Sequence, residues 1–305
     1  MTKPIGCDAV TSTEIQPSTG PRLTSTEWRA VRDDHRAEVD ELIGPYLRAR
    51  KNGVKHPVID FLFTYYSSRP AHVTRWHPGF GVLLEDADEF DGLRGYRRVG
   101  DTVTVDPRFL RDRAGAVGAT AALLRATASR PARLGCFGLH EWAMVYRTTE
   151  TRHDAPLRLG HAGTDAVVEE MPLRCTHFDA FRFFTPAARP RNEAELSRDR
   201  QERDEQPGCL HTAMDLYRAC FTLAPLIGSE HTLACFGLAL RARELDMRAS
   251  PYDLTDLGYD PVPVETPAGR AQYVREQSAI AEEAAGLRAA LIDRCSDLLA
   301  LADPL

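Results

Sequence analysis

Residues 209–224 read CLHTAMDLYRACFTLA, a run whose apolar side chains recur at helical intervals with no glycine or proline to break them. If this is a helix, His211 and Asp215 lie four residues apart on one face, a polar pair on an otherwise apolar surface. Outward from it, Glu230–Met247 repeats the helical pattern. Thr266-Pro267 then places an N-cap before a proline at the first helical position, opening a helix that runs to about Leu301. Upstream, Thr24-Ser25-Thr26-Glu27 has capping-box spacing and opens a helix that stops near Lys51-Asn52-Gly53. Arg108–Ser129 and Phe137–Tyr146 also read as helices. His56–Tyr66 (HPVIDFLFTYY) reads as a buried helix, with a strand left open by its β-branched and aromatic content. Only residues 77–106, punctuated by glycine and with alternating Val and Thr, look like β-structure. The fold class is therefore mainly α with a small β-hairpin insertion.

Residues 1–22 read as a loose arm rich in Thr, Ser, Pro and Gly, and 23–305 as one helical domain. The charged, proline-flanked stretch at about 185–208 is a linker, a surface excursion or a lid. Across 305 residues, 43% hydrophobic content is ample for a core. No uncharged run is long enough for a membrane span, and the N-terminus has no apolar signal segment. A net charge of −6 argues against a surface built to neutralise phosphates, and so against a nucleic-acid partner. Seven cysteines without a CxxC pair indicate reduced thiols and a cytoplasmic setting.

The chemistry concentrates in four apolar segments, each carrying a histidine and a carboxylate. These are His56 with Asp60, His140 with Glu141, His177 with Asp179, and His211 with Asp215. A buried carboxylate is costly unless compensated. Compensation could come from salt bridges to Arg174, Arg182 or Arg218, from core hydrogen bonds, or from a metal; a metal-free catalytic site is a further possibility. Imidazole with carboxylate is the natural ligand set for iron or manganese. His140, His177 and His211 with Asp60, Glu141, Asp179 and Asp215 supply the inventory of a dinuclear iron site in a helical bundle. Cys136, Cys175 and Cys209 each precede one of these histidines, which raises zinc as an alternative, although the paired spacing of structural zinc is absent. Arg174, Arg182 and Arg248 are candidates to grip a substrate carboxylate. In LDMRASPYDL, Asp246 and Asp253 beside Arg248 either brace the end of a helix by salt bridges or meet a polar substrate. His35, His72, His153, His161 and His231 read as solvated surface residues. Nucleotide-binding loops, the nucleophile elbow and HExxH are absent from the sequence.

The blocks HPVIDFLFTYYSSRPAHVTRWHPG (56–79), GCFGLHEWAMVYR (135–147), LRCTHFDAFRFFTPAARP (173–190), EQPGCLHTAMDLY (205–217) and RELDMRASPYDL (243–254) resemble an actinobacterial family often labelled 3-methyladenine DNA glycosylase. The resemblance spans about residues 55–275. The label implies base excision, yet the glycine-rich hairpin of helix-hairpin-helix glycosylases is missing. The chain is also similar to the haem-oxygenase-like dimetal oxidases and oxygenases, including members of polyoxin biosynthesis. That resemblance implies an all-helical bundle with two Fe(II) ions held by three histidines and several carboxylates. It also implies O2 as co-substrate, and an external electron donor is compatible with it. The implied reaction is desaturation or azetidine formation on an aliphatic amino acid such as isoleucine. Members often show His-x3-Asp-x2-His on one helix, whereas here Arg218 follows His211 and Asp215. A non-catalytic scaffold, in which the pairs only brace the core, is the third alternative.

Overall fold

A computed structural model describes residues 20–302, so most of the expected N-terminal arm lies outside the described residues. Among the described residues eleven α-helices follow one another: α1 (Ser25–Lys51), α2 (Ile59–Thr64), α3 (Ala71–Thr74), α4 (Pro107–Ala128), α5 (Leu139–Ala143), α6 (Gly160–Glu170), α7 (Phe178–Phe181), α8 (Gln201–Asp204), α9 (Leu210–Leu223), α10 (Ser229–Arg248) and α11 (Pro267–Ala302). The strands are β1 (Arg22–Leu23), β2 (Leu83–Glu85), β3 (Tyr96–Val99) and β4 (Thr102–Val105). They form one sheet in the order β1-β2-β4-β3, antiparallel except for β1 against β2. The mainly helical reading holds, and the expected hairpin is β3–β4. The sheet is larger than the hairpin because β2 and the chain at Arg22–Leu23 extend it.

The helix ends follow from local chemistry. Thr24 Oγ1 accepts from the Glu27 amide at 3.4 Å, while the Glu27 carboxylate takes the Thr24 amide at 2.8 Å. The Asp106 carboxylate caps α4 by accepting from the Arg108 amide. Thr266 Oγ1 does the same for α11 through the Gly269 amide at 3.0 Å. Gly269 is needed there because a Cβ would lie 2.0 Å from the Pro263 carbonyl oxygen. The His56–Tyr66 stretch resolves to the short helix α2, and α6 is a helix the sequence pattern did not announce.

Helices α9, α10 and α11 pack side by side, and α4 lies along α11. Leu216 and Tyr217 of α9, with Phe236 and Leu238 of α10, are fully buried in this stack. Burial of each large apolar side chain contributes about 1.5–3 kcal/mol, which is what holds two half-polar helices together. The largest buried apolar cluster runs from Val39 of α1 to Leu298 of α11. Among the described residues no helix is long and apolar enough to cross a membrane.

Candidate metal centre

α9 lies at the middle of the site. Its first two turns bring His211 and Asp215 to one face, as their spacing requires. α5 starts at Gly138, whose φ of +70° is the left-handed turn that lets so short a helix begin, and it presents His140 and Glu141. His177 stands just before α7 with extended backbone. Asp246 comes from the last turn of α10, with Arg243 one turn earlier on the same face. Glu205 follows α8 and is fixed twice. Its Oε1 accepts from Gln201 Nε2 at 2.7 Å, and its carbonyl accepts from Arg130 Nη1 at 3.0 Å.

These side chains form two adjoining ligand sets. His140, His211 and Asp246 bring one ligand atom each within 4.8 Å of the others, as do His177, Glu205 and Asp215. Either set could hold a metal ion. His211 joins them, its ring 4.6 Å from that of His140 and 5.0 Å from that of His177. Within the second set, His177 Nε2 lies 3.0 Å from Asp215 Oδ2 and 3.3 Å from Glu205 Oε1.

Several buried atoms here have no hydrogen-bond partner. His140 Nε2 and Asp246 Oδ1 face each other at 2.8 Å, but their angles do not make a hydrogen bond, so both remain unpaired. His177 Nδ1 and Asp215 Oδ1 are unpaired as well. Unpaired buried polar atoms are rare because each costs its full desolvation. Finding four of them on the ligand residues fits a site for cations.

The titration behaviour agrees with a site that substitutes protons for metal. Burial alone would lower the pKa of His140, but the Asp246 carboxylate outweighs it and raises the imidazole well above its usual value. His177 is raised in the same way, burial being outweighed by Glu205 and Asp215. Burial, helped by the neighbouring His140, pushes His211 well below its usual value and keeps it neutral. Burial raises the Glu205 carboxyl despite His177.

Four of the seven expected ligands converge here: His140, His177, His211 and Asp215. The other three do not. Glu141 is held by Arg243, whose Nη1 is 2.7 Å from Glu141 Oε1 and 2.7 Å from Asp246 Oδ2. Asp179 is surrounded by Arg198, Arg182 and Arg218. Asp60 accepts from the Tyr46 hydroxyl, from Arg50 and from the His56 amide, and so ties α1 to the start of α2. In each case arginine supplies the compensation instead of a metal. Two of the three arginines expected at substrate also point elsewhere. Arg174 is half exposed beside Glu193, and Arg248 binds Glu276 and the Asp260 carbonyl. Glu205 and Asp246 complete the ligand sets in their place. Glu205 lies in a charged run that gives no sign of burial, and the sequence offers Asp246 as a substrate contact or a helix-end brace, not as a metal ligand.

The zinc alternative finds little support at this position. Cys136 Sγ is 3.7 Å from His140 Nδ1, and Cys175 Sγ donates to the His177 carbonyl at 3.5 Å. Among the described residues, Cys136, Cys175 and Cys209 do not join the histidines in any set of three ligand atoms within 4.8 Å of one another. Of the five histidines expected at the surface only His161 is exposed: His35 is buried with Nε2 2.9 Å from the Val73 carbonyl, and His72, His153 and His231 are half-buried, the last beside Cys220 and Cys235.

A cavity of about 850 Å³ opens onto His211, Glu141 and Arg243. Phe61, Tyr65, Met144 and Phe183 line one part of it, and Arg152, Arg182 and Asp179 give it charge of both signs. Arg182 lies over Phe183 at 4.4 Å, so its guanidinium is braced at the wall. Comparison with protein-family models gives no match, and none of the curated proteins or solved structures compared with the chain is significantly similar to it.

Proposed function

We propose that the protein is a non-haem, two-metal oxidase of the haem-oxygenase-like kind, using Fe(II) and O2 on a small amino-acid-like substrate. The observation that carries the reading is the pair of adjoining nitrogen–oxygen ligand sets, the first of which reaches through His211 into a cavity large enough for a small molecule. Imidazole and carboxylate donors without thiolate suit iron and manganese. His140, His211 and Asp246 would hold one ion, and His177, Glu205 and Asp215 the other. Bound iron would supply the redox chemistry by which O2 removes hydrogen from an unactivated carbon.

The protein's own part is placement and exclusion of water. Arg243, buried over the Phe61 ring at 3.9 Å, fixes Asp246 and Glu141 and sets the edge between centre and cavity. Arg152 or Arg182 would take a substrate carboxylate, and Asp179 or Glu141 an ammonium group. The apolar wall would hold an aliphatic side chain toward His211. The glycosylase reading gains little from the cavity, whose lining carries acids alongside its basic residues.

Anaerobic Fe(II) titration followed by O2 tests the proposal. Two irons per chain, and a ferric absorption that develops with O2, are expected. Fewer than one iron per chain would refute the proposal, and excision of methylated bases that survives EDTA would favour the glycosylase.

A further inference from the structure

α9 and α10 meet a second time, far from the centre just described. Cys220 is nine residues beyond His211, roughly 14 Å along α9, and Cys235 is eleven residues before Asp246, roughly 16 Å along α10. There, Cys220, His231 and Cys235 bring one ligand atom each within 4.8 Å of the others. His231 and Cys235 are one helical turn apart and share a face, while Cys220 reaches across from α9. Both cysteines are fully buried.

Two observations set this cluster apart from ordinary buried thiols. His231 is half-buried, yet its Nε2 is shielded from solvent and has no hydrogen-bond partner, which is uncommon for a shielded polar atom. Arg288 of α11 is buried between Cys235 and Cys209, and its Nε and Nη2 have no hydrogen-bond partner. A buried guanidinium with no bonded carboxylate favours negative charge at the nearby Cys235 sulfur.

We propose that Cys220, His231 and Cys235 form a separate site for a thiophilic divalent cation of the zinc class. Two sulfurs and an imidazole are soft donors, and they select against the hard cations suited to the His–carboxylate sets. A tetrahedral zinc with sulfur bonds of about 2.3 Å holds its ligand atoms about 3.8 Å apart, so side-chain shifts of about 1 Å or less close the site. His231 also lines a groove with Pro78, Gly228 and Arg294, the side from which a cation would enter and water would take its fourth position. The site would pin α9 to α10 at the ends remote from His211. It stands whether or not the protein is an oxidase.

The test is a Co(II) titration of the reduced, metal-free full chain carrying His211→Ala to weaken the other centre. One Co(II) per chain, with thiolate-to-cobalt charge-transfer absorption in the near ultraviolet and displacement by Zn(II), is expected. The absorption should vanish in Cys235→Ala, and His231→Ala should bind at least about tenfold more weakly. Should Cys235→Ala fail to fold, alkylation of the otherwise unaltered chain decides: Zn(II) should protect Cys220 and Cys235 among its seven thiols. Three results would overturn the proposal. They are absence of thiolate absorption, absorption that survives loss of both cysteines, and protection that maps to Cys136, Cys175 and Cys209.

Discussion

Metal binding at the His–carboxylate centre should release protons, and their number follows from the geometry. Without metal, Asp246 lies 2.8 Å from His140 Nε2, and Asp215 and Glu205 lie 3.0 and 3.3 Å from His177 Nε2. These carboxylates raise both imidazoles, whereas His211 stays neutral. A cation must displace the protons of His140 and His177 but none from His211. Affinity should therefore rise with pH, about tenfold per unit for each proton released and up to about a hundredfold while both are held. The metal-free fold responds with the opposite sign. The two raised histidines stabilise it fully below the usual histidine value, and that stability is lost as pH rises through their native values. Anaerobic calorimetry of Fe(II) binding, in buffers of different ionisation enthalpy, counts the protons directly. Asp246→Asn removes the charge that raises His140, so proton release should fall by about one while binding weakens. No proton release at pH 6.5, or an unchanged count in Asp246→Asn, would refute the assignment of these histidines as ligands.

Glu205→Gln should lower Fe(II) stoichiometry from two toward one per chain by impairing only the set around His177, as read by elemental analysis after anaerobic loading. Arg243→Met leaves Glu141 and Asp246 buried without their shared partner, and should destabilise the protein by about 3–5 kcal/mol in urea denaturation. His77 is half-buried with Nδ1 2.8 Å from the Tyr96 hydroxyl, and desolvation pushes its pKa down to about 4. The unfolded chain takes that proton first, so stability should fall by about 3 kcal/mol as pH drops from 6.5 to 4. In His77→Gln this share of the pH dependence should be missing from denaturation curves. Leu216→Ala, at a fully buried position in α9, should cost about 2–5 kcal/mol by the same assay.

What the sequence determined by itself is local in origin. Helical periodicity and caps at Thr24 and Thr266 depend on residues within one turn, and they were legible. The i,i+4 relation of His211 and Asp215 was legible for the same reason, and so was the burial of His140 and His177 among apolar neighbours. Which acids would meet those histidines was decided by packing. Asp60 and Asp179 sit in segments like that of Asp215, yet they meet Arg50 and Arg198, whose side chains arrive from other turns and loops. Glu205 reaches His177 only because Arg130 and Gln201 hold the charged segment down. Asp246 reaches His140 only because the end of α10 is held against α5, where Trp142 Nε1 donates to the Ala249 carbonyl at 2.8 Å. A carboxylate's partner is whatever cation or proton lies within a few ångströms. Sequence spacing sets that distance within a helix, and only the tertiary fold sets it between helices.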